Sequence, residues 1–140
     1  YLYARQTSGE KKGYTLPFST PWSGRAEVRY LLPCFGGSCS DFSSDANAGF
    51  IALEWQVVGS QNRIVPPEEK TKGHQLLNMS LGKKFVIGGR EKKSHTSQLE
   101  LTLRAENLLN KRYYDHTSYY RLIGVPEPGR NFSAMISWAF

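Results

Sequence analysis

The stretch Asn131 to Phe140, NFSAMISWAF, constrains the fold more than any other part of the chain. Every second residue is apolar: Phe132, Ala134, Ile136, Trp138 and Phe140. Between them stand Ser133, Met135, Ser137 and Ala139, which are small or weakly polar. Side chains of a strand alternate between faces with period 2. The segment therefore reads as a strand with one aromatic, greasy face. No turn or polar tail follows Phe140 in the sequence. The expectation is a strand at a membrane interface, or one that seals a closed barrel, because an open aromatic edge invites aggregation.

Four upstream segments repeat the pattern. Arg25 to Leu32 sets Ala26, Val28, Tyr30 and Leu32 against Arg25, Glu27, Arg29 and Leu31. Phe50 to Val58 sets Ile51, Leu53, Trp55 and Val57 against Glu54 and Gln56. His74 to Val86 sets Leu77, Met79, Leu81 and Phe85 against Asn78, Ser80, Gly82 and Lys84, with Lys83 placed to snorkel at the end of the stripe. Gln98 to Asn107 sets Leu99, Leu101, Leu103 and Ala105 against Glu100, Thr102, Arg104 and Glu106. A helix over Leu99–Asn110 is the competing assignment, since LELTLRAENLLN is rich in helix formers. Strict period-2 alternation opposes it, because an amphipathic helix repeats at about 3.6 residues. Tyr1 to Gln6 reads as the end of a further strand, and the missing initiator Met suggests a start that is not natural.

The connections are polar and turn-rich: Thr7–Trp22, Pro33–Gly49, Ser60–Lys72, Ile87–Ser97 and Leu108–Arg130. Five full strands and a fragment in series predict an all-β, antiparallel up-and-down meander.

Two architectures share this pattern. In a soluble sheet the apolar face is a core and the charged face meets solvent. In a membrane barrel the apolar face meets lipid and the charged face lines the lumen. No run of about 18 apolar residues exists for a membrane helix, and mean hydropathy is −0.48. Barrel strands leave little hydropathy signal, so neither fact excludes a barrel. Five or six strands cannot close one, since about eight are the minimum. An open sheet in lipid would leave backbone groups unpaired. If the wall is membrane-embedded, this chain is one piece of it.

The net charge of +6 admits solvated, lipid-headgroup or nucleic-acid readings. Lys11–Lys12, Lys83–Lys84 and Lys92–Lys93 are scattered rather than gathered in one stripe, so no nucleic-acid partner is expected.

The phrases ENLLNKRYYDH (Glu106 to His116) and VPEPGRNF, running into the terminal aromatic strand (Val125 to Phe140), resemble the C-terminal end of a TonB-dependent outer-membrane receptor. LPFSTP (Leu16 to Pro21) and GHQLLNMSLGKKF (Gly73 to Phe85) resemble other segments of the same region, so the likeness covers nearly the whole chain. The resemblance implies part of a barrel of about 22 strands around a plug. It implies residence in the cell outer membrane, with lipid and the barrel-assembly machinery as partners. TonB would act through a plug domain outside this chain. The cargo would be a nutrient such as a metal, a metal chelate or cobalamin. Phe132, Trp138 and Phe140 would serve as the assembly signal, with Met135 where a Gly is common in the family. The loops Thr7–Trp22, Ser60–Lys72 and Leu108–Arg130 would face outside, and Pro33–Gly49 and Ile87–Ser97 the periplasm. Pro33–Gly49 is longer than the family's periplasmic turns. The alternative is a small soluble antiparallel β domain that binds a ligand or protein partner.

Within the outer loop, Tyr113, Tyr114, Asp115, His116 and Arg121 form a candidate substrate-contact cluster. The plainer reading is an aromatic girdle with His116 solvated. His74 and His95 are expected to be ordinary loop or strand-end residues. Cys34 and Cys39 flank FGGS, whose glycines allow a small disulfide ring, with free thiols as the alternative. The spacing is poor for zinc, and no metal site is expected. No nucleophile, phosphate loop or paired-carboxylate motif appears, so neither catalysis nor a cofactor is expected.

Overall fold

A computed structural model of the chain describes residues 4–32, 49–87 and 97–140. The chain is all-β. Strands β1 (Ser23–Leu32), β2 (Gly49–Val58), β3 (His74–Ile87), β4 (Ser97–Glu106) and β5 (Asn131–Ala139) form one sheet in sequence order. Every neighbouring pair is antiparallel. One short 3₁₀ turn, Tyr119–Ile123, interrupts the β4–β5 connection. The strand at β4 rather than a helix follows from its alternation, which lets it pair on both sides at once.

The register aligns the apolar alternation of all strands on one face. Val28 pairs with Leu53, Leu53 with Met79, and Met79 with Ala105, which pairs with Phe132. Tyr30, Ile51, Leu81, Leu103 and Ala134 form the parallel row. A one-residue slip would move every one of these side chains to the other face, so the pattern fixes the register. Among the described residues no other element covers this face. Phe132, Ile136 and Trp138 keep 69%, 70% and 65% of their surface exposed.

The opposite face is polar and internally paired. Glu54 lies at its centre with its side chain 14% exposed. It accepts hydrogen bonds from Asn78 at 2.8 Å and from Arg25 at 3.2 Å, and Arg104 lies 4.0 Å away. Arg104 also pairs with Glu106 at 3.0 Å, and Arg29 with Glu27 at 3.0 Å. This face also carries apolar residues, Leu31, Phe50, Leu76 and Met135 among them. The Phe50 ring lies across Gly82 of β3, where a Cβ would come within 2.2 Å of it, and the Arg29 guanidinium lies over the same ring at 4.5 Å.

The expected strand fragment at Tyr1–Gln6 is corrected within the described residues. Arg5 forms an isolated bridge to Thr15 outside any strand. Gln6 donates its amide to the Tyr14 carbonyl and accepts from the Gly13 amide. Residues 4–15 thus fold back on themselves, helped by the positive φ of Gly9 and Gly13. The connections at 33–48 and 88–96, with Cys34, Cys39 and His95, lie outside the described residues.

Candidate functional site

An up-and-down meander sends alternate connections to opposite ends. Segments 4–22, 59–73 and 107–130 therefore share one end of the sheet. They pack into a cap with its own small interior. Lys11 Nζ donates to the Pro66 carbonyl at 2.7 Å, and Thr15 Oγ1 to the Arg63 carbonyl at 3.1 Å. Gln61 Nε2 donates to the Ser19 carbonyl at 2.7 Å. Gly59 accommodates the Trp22 indole, which a Cβ would meet at 2.0 Å. Glu68 accepts from the Phe18 amide at 2.7 Å and the Val65 amide at 3.2 Å, and Val65 is 2% exposed.

The exit from β4 is shaped by asparagines. Asn107 and Asn110 both take positive φ, 49° and 50°, which short amide side chains tolerate better than most. Buried Asn107 donates its amide to Asn78 Oδ1 at 2.9 Å. Its side chain accepts from the Lys111 amide at 2.8 Å and donates to the carbonyls of Lys111 and Pro128, at 2.9 and 3.3 Å. Asn110 Oδ1 accepts from the Arg130 amide at 3.0 Å, just before β5 begins. These two residues tie the end of β4 to the start of β5.

The sequence-predicted cluster separates into two parts. Tyr113, Tyr114 and Arg121 come together. Tyr113 lies over the His74 ring at a centroid distance of 4.2 Å, and its hydroxyl is pushed upward by burial and by Glu127, Asp115 and Glu106. Tyr114 donates to the Gly124 carbonyl at 3.4 Å. Arg121 NH1 donates to the Glu69 carbonyl at 2.7 Å. Asp115 turns to its own loop, accepting at 2.7 Å from both the amide and the hydroxyl of Thr117.

His116 turns inward, against the expectation that it is solvated. It is 2% exposed, with Nδ1 2.9 Å from Thr71 Oγ1 and Nε2 3.9 Å from Glu68. Burial first, then the neighbouring Arg121, holds it below the ordinary histidine range, with Glu68 and Asp115 opposing. His74 is buried as well, at 7% exposure. Both histidines meet residues distant in sequence, Tyr113 for His74 and Thr71 for His116, which is why sequence alone gave His116 as solvated and His74 as an ordinary strand-end residue.

Between the segments lies a cleft of about 620 Å³. Residues 69–74, 111–114, Arg121 and Gly124 line it. Its cations Lys70, Lys72, Lys111 and Arg112 were not singled out from the sequence. Their signal is the basic residues beside tyrosines in KRYY and in the EEKTK run, but only the meander brings the two together. Of the proposed assembly residues, Phe132 and Trp138 lie on the exposed apolar face of β5, and Phe140 follows it, fully exposed. Among the described residues no group of three His, Cys, Asp or Glu side chains could hold a metal ion.

No family model matches the chain, and no solved structure matches it.

Proposed function

We propose that this chain is a section of the wall of an outer-membrane β-barrel, of the kind its sequence resembles in TonB-dependent receptors. The apolar face would meet lipid, the paired charges would line the interior, and the cap would face outside. The cargo class stays as broad as the resemblance implies: a metal, a metal chelate, cobalamin or a comparable nutrient. The chain would contribute wall and capture loops rather than chemistry.

One observation carries this reading: an apolar face continuous across all five strands that no other described element covers. An uncovered apolar face of this extent on a water-exposed protein marks an interaction or membrane surface. A shallow apolar trough of about 370 Å³ runs along it, lined by Met79, Leu81, Leu103 and Phe132 among others. The paired charges support the assignment of the second face, because mixed charges in a lumen pair with one another. The soluble alternative requires that the apolar stripes form a core. The buried hydrophobic residues among those described are Ala52, Val65, Leu76 and Ala105, and only Ala105 shares the stripe.

The test is the size and location of the native polypeptide. An antibody to Tyr113–Arg130 should detect it in the outer-membrane fraction, at a mass several times that of this chain. A band of this chain's own mass in the soluble fraction would overturn the proposal.

A further inference from the structure

The arginines of the strand wall and the cations of the cap differ in their partners. On the wall Arg25, Arg29 and Arg104 each lie within 4.0 Å of a carboxylate. In the cleft Lys70, Lys72, Lys111, Arg112 and Arg121 have no carboxylate partner among the described residues, although Glu69 shares the lining. They arrive from separate segments: the β2–β3 connection, the exit from β4 and the 3₁₀ turn. Like charges gathered in a concave site repel one another, and counter-charge relieves that repulsion.

The polar groups of the lining point the same way. Arg121 commits NH1 to a carbonyl, while its Nε and NH2 are buried without an acceptor. A guanidinium edge with unmet donors suits a carboxylate or phosphate, which accepts two parallel bonds from it. His74 Nδ1 is likewise buried without a partner at the cleft wall. Among the described residues no nearby carboxylate forms an ion pair with these cations. Asp115 accepts from Thr117, and Glu127, close enough to act on Tyr113 and His74, has its Oε1 buried without a partner, so the acids offset the five cations only in part. The volume falls in the range of small-molecule sites, about 300 to 1,000 Å³, rather than that of a flat macromolecular footprint. Tyr113 and Tyr114 add aromatic walls beside the cations.

We infer that the cleft between residues 69–74, 111–114 and 121–124 binds a small molecule or headgroup carrying more than one oxyanion, phosphate or carboxylate. The inference takes its setting from the outward-facing cap of the proposed receptor, but the binding itself does not depend on a membrane.

The test is calorimetric titration of the full polypeptide in neutral detergent micelles with inorganic pyrophosphate, and separately with citrate. Lys111 and Arg112 are exposed, and Arg112 gives up only a long 3.5 Å bond to the Tyr114 hydroxyl, so Lys111→Gln with Arg112→Gln removes charge with little loss of packing. The control pair, Lys12→Gln with Arg130→Gln, removes the same charge outside the cleft. The expected result is saturable binding that weakens at least tenfold in the cleft variant, stays within twofold in the control, and falls as salt rises. A third arm adds phosphatidylglycerol to the micelles. Competition by that lipid, lost in the cleft variant, supports the site and identifies a headgroup as its source of oxyanion. Equal weakening in both variants would reduce the effect to bulk charge and overturn the inference. Absence of saturable binding in every arm would also overturn it and leave the wall proposal untouched. Saturable binding by a polypeptide found in the soluble fraction would do the reverse.

Discussion

Asn107 concentrates more of the cap's order than any other single side chain. Replacing it with Ala removes one accepted and two donated hydrogen bonds. Water reaches the loop in part, so the loss is about 2 kcal/mol at roughly 1 kcal/mol per net bond. Ala must also hold a φ of 49°, which costs about 1 to 2 kcal/mol more. Gly at the same position loses the same bonds without that strain. Local opening of the β4 exit should therefore rise by about 2 kcal/mol for Gly and about 3 to 4 kcal/mol for Ala, roughly 30-fold and at least 100-fold. Trypsin reads this directly, because cleavage after Lys111 or Arg112 requires the exit to open. When closing is faster than cleavage, the cutting rate follows the opening equilibrium. The expected order of rates is Asn slowest, then Gly, then Ala. An Ala variant as resistant as the parent, or a Gly variant cut faster than Ala, would refute the assignment of Asn107 as a strained, bonded hinge.

Further outcomes follow from the same geometry. Because His116 is buried with its proton affinity lowered, the unfolded cap binds the proton more readily than the folded one. Its contribution to stability is complete above the unfolded value of about 6.5 and is lost as pH falls below it. Proteolysis of the 107–130 segment should speed up below that pH, and His116→Phe should flatten the dependence. Gly82→Ala should destabilise the sheet by about 1 to 3 kcal/mol through its clash with Phe50, and Phe50→Ala should suppress most of that loss in urea unfolding. Leu103→Lys should block assembly of the wall, at a cost of about 2 to 4 kcal/mol in mid-bilayer, while Ser80→Lys on the opposite face should be tolerated. Heat-resistant mobility on gels separates these two variants.

The strands were legible because period 2 repeats in each of them and because the apolar sets face the same way once paired. His74–Ile87 could be recognised from Leu77, Met79 and Leu81 alone, and a helix over Leu99–Asn110 could be set aside from the same alternation. The cap was not legible. Its bonds join residues 42 to 55 positions apart, as between Ser19 and Gln61 or Lys11 and Pro66, and no local pattern announces them. His116 looked solvated because its neighbours in sequence are polar. Thr71 and Glu68, which bury it, belong to another loop. Asp115 and His116 stand side by side in sequence yet turn to different partners. Tyr113 and Arg121 line one cleft, while the lysines that share it come from runs that read as ordinary turns. The pairing of Phe50 with Gly82 depends on register and emerges only when β2 and β3 are aligned.

The central claim is that one face of the sheet meets lipid and the other water. It is tested most directly by single cysteines placed on each face, in the full polypeptide within native membranes, with Cys34 and Cys39 replaced by Ser. Leu53→Cys and Ile136→Cys should react with a lipid-soluble maleimide and resist a charged one. Ser80→Cys and Ser133→Cys should react with the charged reagent. Equal reaction of all four with the charged reagent, or protection of Leu53→Cys and Ile136→Cys from both, would contradict the account and place the apolar face in water or inside a protein core.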